Sequence, residues 1–261
     1  MKKLFTLAAL SLLVLTGCGS EYKSDFKDKP ITVLTNSGYA PYEVRNTNGE
    51  LEGFDIELTE LIAKELGASE VIWEDIDFDA LIGAVNSGKG DMVAAGLSPT
   101  KERAEGAELS DVYYSSEEET ANFVLTLKDG DIKKTADIKD KKVGIQIGTI
   151  QEAAVNEIKD EYNLKTDARK SYGDMVQEIK NKRIDFVVVE KAIADKYVET
   201  NPELSYFQLE AEGNSTGNCF AFQKGNTDLR DDVNKAIKKL QDNGEIDKLV
   251  KKWFSVEEKK K

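Results

Sequence analysis

The sequence predicts an α/β protein folded as two lobes around a central cleft. Three observations carry this. Short β-branched runs alternate with segments of helical periodicity, the pattern of βαβ units and a mostly parallel sheet. That alternation breaks into a polar loop at 115–120 and then begins again. A polar, Gly-containing segment at 210–218 precedes a last strand-and-helix stretch, so the chain leaves the first unit, builds a second and returns. The expected division is 31–120 with 218–261 for the first lobe and 121–217 for the second, joined by two extended crossings.

Each element follows from its residues. The run at 31–35, I-T-V-L-T, is a strand, and N-S-G-Y-A-P-Y at 36–42 is a loop. Asn48-Gly49 between short apolar pieces signals a hairpin. From Asp55 the pattern turns helical: Leu58, Leu61, Ile62 and Leu66 share one face, and Gly67 stops the helix. A strand at 71–73 is followed by a helix at 78–85 with Leu81, Ile82 and Val85 inward and Ser87-Gly88 at its end. A strand at 92–95 leads into G-L-S-P-T-K-E-R at 96–103, where Thr100 caps a short helix carrying Arg103. In the second run, 123–127 is extended and a strand at 143–147 ends in Gly148-Thr149, which opens a helix reaching about Ile158. Tyr172, Met175, Val176 and Ile179 form a helix face. The β-branched strand at 184–189 has Glu190 at its C-terminal end, with a helix at 192–198 and a strand at 207–209 after it. A strand at 219–222 follows the second crossing. Val233, Ala236, Ile237 and Leu240 then mark one helix, and Ile246, Leu249, Val250 and Trp253 another beyond Gly244.

Composition removes whole classes of chemistry. The chain of 261 residues has 40% apolar residues, enough for real cores, and a formal net charge of −13. An acidic surface argues against nucleic acid, since nothing in it would displace counterions from phosphates. There is no histidine, which excludes Ser-His-Asp and Cys-His catalysis and His-ligated zinc. No cofactor and no metal are expected. The two cysteines, Cys18 and Cys219, are too few and too far apart for a disulfide framework.

The first thirty residues read as an export leader and a tether. Met1-Lys2-Lys3 is basic, and an apolar run of about a dozen residues follows, too short to span a bilayer. Leu15-Thr16-Gly17-Cys18 resembles the lipobox of bacterial lipoproteins, which implies that residues 1–18 are a signal peptide and that Cys18 carries lipid, anchoring the protein outside the cytoplasmic membrane. The polar, aperiodic stretch 19–30 is expected to be a flexible tether.

The stretch at 96–103 assembles hydrogen-bond donors: a helix start, small hydroxyls and a guanidinium whose planar fork fits a carboxylate. It reads as a carboxylate clamp for a free amino acid, against the alternative of a capped surface helix with a solvated Arg103. In open α/β sheets, ligands sit beyond the carboxyl ends of strands, where Gly96, Gly148 and Glu190 all lie. Glu190 can accept from an ammonium group, or it can be an acid in the first turn of a helix, stabilised by the dipole. Phe78 and Tyr39 can sandwich an apolar stem, or pack in a core.

Taken in order, Tyr39-Ala40-Pro41-Tyr42, Gly53-Phe54-Asp55, Phe78-Asp79-Ala80-Leu81-Ile82, the 96–103 stretch, Val143-Gly144-Ile145-Gln146 with Gly148-Thr149, Arg183-Ile184-Asp185 and Lys252-Trp253-Phe254 resemble the extracytoplasmic solute-binding proteins of ABC importers for polar amino acids, from about Ile31 to Phe254. The resemblance implies a periplasmic-binding-protein-like (type II) fold with a central ligand cleft and two hinge crossings. It implies Arg103 as the carboxylate-binding residue, Gly96 as a backbone donor, Ser98 as a hydroxyl and Tyr39 and Phe78 as stacking aromatics. Glu190 then falls on the ammonium-binding acid and Thr149 on the second-lobe turn. It further implies a free L-amino acid and an ABC permease as partners, a membrane reached through the lipid anchor, and a monomer.

Three departures bear on the ligand. Asn36, which is placed in the site, stands where binders of cationic side chains carry Asp; Ile150 follows Gly-Thr; Ala95 precedes Gly96. These favour a neutral polar side chain such as glutamine. Arginine, lysine or cystine is the alternative, since Glu43, Asp77 or another acid can enter the pocket. An enzyme on the same fold, dehydratase-like or a peptidoglycan-cleaving lyase with Glu190 or Glu43 as general acid–base, is the rival class. A surface adhesin or sensor ranks below both.

Overall fold

The computed structural model describes residues 23–115, 121–210 and 216–254. The leader, Cys18 and most of both crossings lie outside the described residues. In chain order, β1 (Ile31–Thr35) leads to a hairpin of β2 (Val44–Arg45) and β3 (Leu51–Glu52), turned at Asn48-Gly49. Then come α1 (Phe54–Glu65), β4 (Val71–Asp75), α2 (Leu81–Asn86) behind a 3₁₀ turn at Phe78–Ala80, β5 (Met92–Val93), α3 (Lys101–Gly106) and β6 (Glu108–Leu109). After the first crossing lie β7 (Asn122–Leu127), β8 (Lys142–Gln146), α4 (Ile150–Ile158) and β9 (Lys165–Arg169). They are followed by α5 (Tyr172–Lys180), β10 (Phe186–Glu190), α6 (Lys191–Thr200) and β11 (Leu204–Gln208). After the second crossing come β12 (Ala221–Phe222), α7 (Thr227–Asp242) and α8 (Glu245–Phe254).

The strands form two five-stranded sheets, β4-β1-β5-β12-β6 and β11-β7-β10-β8-β9. The sheets are mixed rather than mostly parallel. β1 runs parallel to β4 and β5, and β10 and β9 run parallel to β8, but β12 is antiparallel to β5 and β6 and β7 is antiparallel to β10 and β11. The reason lies in the crossings. β7 and β12 are the first strands after each passage, so each enters its sheet from the cleft side and must run against its neighbours. The sequence also omits β9, whose residues K-T-D-A-R show no apolar alternation because it is an exposed edge strand.

Amphipathic faces bury as their periodicity dictates. Leu58 and Ile62 of α1, and Val233, Ala236, Ile237 and Leu240 of α7, pack with Phe54, Phe220 and Phe222 in one core. A second core lies under α2, and a third sits between α4 and the sheet of β10. Residues 23–30, expected as tether, are laid on the first lobe. The backbone N–H groups of Lys23 and Ser24 each donate to Asp232 Oδ2 at 2.6 Å, and Phe26 packs against the core. Asp232 is fully buried and also paired with Lys235 at 2.8 Å. No apolar period announces this, because the bonds are made by backbone N–H groups and polar side chains, Ser24 Oγ among them at 2.8 Å from Asp232 Oδ2.

Candidate ligand-binding site

The carboxyl ends of β1, β5, β8 and β10 converge on a cleft, and all eight residues expected there line it: Asn36, Tyr39, Phe78, Gly96, Ser98, Arg103, Thr149 and Glu190. On the first-lobe wall, the Thr100 hydroxyl accepts the Arg103 N–H at 3.1 Å and starts α3. The Arg103 side chain lies in the cleft, and the solvated-surface reading fails. Nη1 donates to the Ser98 carbonyl at 2.8 Å, Nη2 to the Gly148 carbonyl at 2.9 Å, and Cζ sits 5.4 Å from the centre of the Phe78 ring. Burial lowers its pKa, yet a guanidinium stays charged throughout the physiological range. Two of its five N–H groups meet these carbonyls, which leaves a fork for a carboxylate.

Two expected roles change. The Gly96 N–H, expected as a donor to the ligand, is engaged by Asp55 Oδ2 at 2.8 Å, and its carbonyl accepts from Asn218 Nδ2 at 2.9 Å. Gly96 has φ +55°, and a Cβ there would stand 3.2 Å from the Tyr39 ring, so the residue is required to be small and left-handed. Asn36 is committed at both ends of its amide: Nδ2 donates to the Ile76 carbonyl at 2.7 Å and Oδ1 accepts from Gln146 Nε2 at 2.9 Å. It ties the two lobes together. Thr149 caps α4, accepting the Glu152 N–H at 3.0 Å and donating to the Gln146 carbonyl at 2.7 Å. What this corner offers a ligand is the N-terminus of α4.

On the second-lobe wall, Glu190 is 3% exposed. It occupies the N-cap of α6 but makes no side-chain capping bond, so helix capping does not account for it. Its carboxylate accepts the Tyr39 hydroxyl at 3.1 Å and lies 3.5 Å from Gln151 Nε2. The Tyr39 ring stacks on Tyr42 with centroids 5.6 Å apart and on Tyr172 at 5.1 Å, so it is packed and cleft-lining at once. Gln146, Gln151 and Tyr172 also line the cleft without having been singled out. Tyr172 appears in the sequence only as one residue of a helix face.

Glu43 is the residue with the largest consequence. It lines the cleft, is 1% exposed, and its Oε2 has no hydrogen-bond partner among the described residues. Burial raises its pKa well above the carboxylate range, and Asp55, Asp75 and Glu190 add to the rise. Asp77, the other acid considered, faces the rim and pairs with Lys170 at 2.6 Å. Among the described residues no group of acids and Cys219 could hold a metal ion, and Cys219 is a buried free thiol pushed up to about 12 by its burial.

Asp55 is fully buried, and its carboxyl is lifted to about 6 by burial, against the pull of the Gly96 N–H and the Tyr113 hydroxyl. An unfolded Asp titrates near 3.9. The folded chain thus holds this proton more tightly, so the stability it lends is complete below about pH 4 and lost as pH rises through 6. Between pH 4 and pH 7, wild type is expected to lose about 3 kcal/mol relative to Asp55→Asn, read by urea unfolding at each pH. Parallel profiles for the two proteins would refute this.

Comparison with known proteins adds four findings. The family described as "Bacterial extracellular solute-binding proteins, family 3" matches residues 31–256. The chain is 39% identical to the arginine-binding extracellular protein ArtP of Bacillus subtilis, over 98% of this chain and 100% of that one. It is 35% identical to a probable histidine-binding protein of Campylobacter jejuni, over 97% of this chain and 99% of the other. Among solved structures it is similar to an ancestral arginine-binding protein bound to arginine, with a TM-score of 0.79 and 34% identity over 87% of this chain and 98% of that chain. No helix among the described residues is long and apolar enough to cross a membrane.

Proposed function

The chain belongs to the bacterial extracellular solute-binding proteins of family 3, and from that membership we propose that its cleft binds a free cationic L-amino acid, arginine foremost, and delivers it to an ABC permease. The observation that carries the choice is a charge count. Among the described residues the cleft holds one fixed cation, Arg103, and two buried carboxyl groups, Glu190 and Glu43. A zwitterion satisfies the first two: its carboxylate meets Arg103 and its ammonium meets Glu190. The second buried carboxyl, Glu43, remains, held towards its protonated form while it has no cationic partner. A guanidinium on the ligand supplies the partner that lets it ionise and pair.

This revises the preference for glutamine that Asn36 suggests, because Glu43 brings the acid that position 36 lacks. ArtP of Bacillus subtilis, named as arginine-binding, lends support; histidine and lysine are the nearest competitors. Closure of the 121–217 lobe onto the ligand completes the site, with Arg103 reaching Gly148 and Tyr39 reaching Glu190 across the gap. Export by the leader, lipid on Cys18 and a monomeric carrier complete the reading. Carriage rather than turnover is favoured because both acids pair with the cationic groups of the bound ligand, and neither is left free to act on its bonds.

A thermal-shift and calorimetric screen of arginine, lysine, histidine, glutamine and cystine tests it. Arginine is expected to give the largest rise, equivalent to about 2.7 kcal/mol at a hundredfold excess over its Kd, and to be recovered unchanged. Equal or tighter binding of glutamine would overturn the charge argument. A changed product would overturn carriage.

A further inference from the structure

The strand end that carries the clamp is fastened to the place where the chain crosses between lobes. We infer that Asp55 and Asn218 form a clasp that holds the Gly96 backbone to the paired crossings, so that grip on the ligand and closure of the lobes are set together. The inference rests on the cleft being the amino-acid site and makes Asp55 a positioning residue.

The links form a closed ring. Gly96 N–H donates to Asp55 Oδ2 at 2.8 Å, and Asn218 Nδ2 donates to the Gly96 carbonyl at 2.9 Å. The Tyr113 hydroxyl lies 2.8 Å from both oxygens of Asp55, and the Tyr113 N–H donates to the Asn218 carbonyl at 3.0 Å. Asp55, Tyr113 and Asn218 are all buried. Tyr113 and Tyr114 end the first lobe before one crossing, and Asn218 stands just after the other. Tyr114 and Asn218 form an antiparallel bridge, so the two passages are paired at this point. Their fit is close: a Cβ on Gly217 would lie 2.6 Å from the Tyr114 carbonyl oxygen. Tyr42 adds its hydroxyl to Asn218 Oδ1 at 3.1 Å, which brings the turn bearing Tyr39 and Glu43 into the same ring.

A carboxylate is the costly choice here. Burial opposes its charge, and an amide of the same shape would avoid that cost. The ring, however, presents two donors, Gly96 N–H and Tyr113 O–H, to one side chain. A carboxylate offers the Tyr113 hydroxyl either oxygen while Oδ2 holds the Gly96 N–H; an Asn must take both donors on its single oxygen and turns an NH₂ donor towards the hydroxyl in place of the second acceptor. A group retained against stability at the root of the clamp is thereby accounted for by position.

The test compares wild type, Asp55→Asn and Tyr113→Phe, with L-arginine as the probe, by calorimetry between pH 5 and pH 7.5, by melting temperature, and by small-angle scattering with and without arginine. Tyr113, Tyr42, Cys219 and Glu43 are the titratable groups that interact with Asp55 or its partner in the ring. Asp55→Asn keeps all of them but also lifts the push of Asp55 on Glu43, so the pair is measured again in a Glu43→Gln background, where the ratio of the two affinities isolates Asp55. Asp55→Asn is expected to melt no lower than wild type yet bind arginine ten- to a hundredfold more weakly at pH 7.5, with the gap closing towards pH 5. Tyr113→Phe is expected to weaken binding severalfold, and both variants to compact less on adding arginine. Wild-type affinity and compaction in both variants would overturn the clasp, as would losses of affinity that track melting temperature and ignore pH. If wild type binds glutamine and not arginine, the charge reading fails and the clasp is read with glutamine. If it binds neither, the clasp falls with the site.

Discussion

Arg103→Ala is expected to bind arginine hundreds- to thousands-fold more weakly than wild type in calorimetry, a loss of about 3–5 kcal/mol. The size follows from what is left behind. A ligand carboxylate closed inside the cleft loses water, and its compensation is a charged planar fork pre-positioned by the Ser98 carbonyl and the Phe78 face. The N-terminus of α4 would remain nearby, but a helix end provides a partial charge only, worth about 0.3–1 kcal/mol near a surface and up to about 2 when buried. Truncation also removes the bond from Nη2 to Gly148, so the closed form loses a strut at the moment the ligand loses its clamp. Arg103→Lys separates the two effects: it restores charge without the fork, and is expected to recover only part of the affinity. Normal arginine binding by the alanine variant would remove Arg103 from the site.

How much of this was legible depends on whether an interaction is local in sequence. Thr100 and Arg103 lie three residues apart on one helical turn, and Thr149 precedes its own helix, so their caps are visible as sequence patterns. Glu190 was legible as an acid at a strand end, but the choice between helix capping and ligand binding needed Tyr39, 151 residues away. The engagement of Gly96 by Asp55 is a backbone-to-side-chain bond across 41 residues, which no periodicity encodes. The docking of 23–30 on Asp232 is missed for the same reason, and β9 because an edge strand needs no apolar face. Glu43 is the instructive case. It reads as one more acid in an acidic chain until the turn folds, with Gly38 and Tyr39 donating their N–H groups to its carbonyl at 3.0 and 2.9 Å. That turn carries the side chain inward, beside a position, Asn36, whose identity alone pointed to a neutral ligand.

Glu43→Gln is therefore expected to reverse preference rather than abolish binding. Losing one partner of a buried charge pair costs about 2–5 kcal/mol, so arginine affinity falls at least thirtyfold, while glutamine, which brings no cation, binds at least as well as before. A proton signature accompanies the change. In the free protein, burial and the neighbouring acids Asp55, Asp75 and Glu190 hold the Glu43 carboxyl towards its protonated form. An arriving guanidinium favours the ionised form and expels the proton, so wild-type arginine affinity rises with pH and binding releases protons. Calorimetry in buffers of different ionisation enthalpy reads that release directly, and in Glu43→Gln it should vanish. The free variant should also melt higher than wild type at neutral pH, because folding no longer has to hold a proton on a buried carboxyl that is ionised in the unfolded chain. A glutamine variant that still prefers arginine and still releases the proton would place the ligand's cation against some other group, and with it the charge count on which the choice of arginine rests would fail.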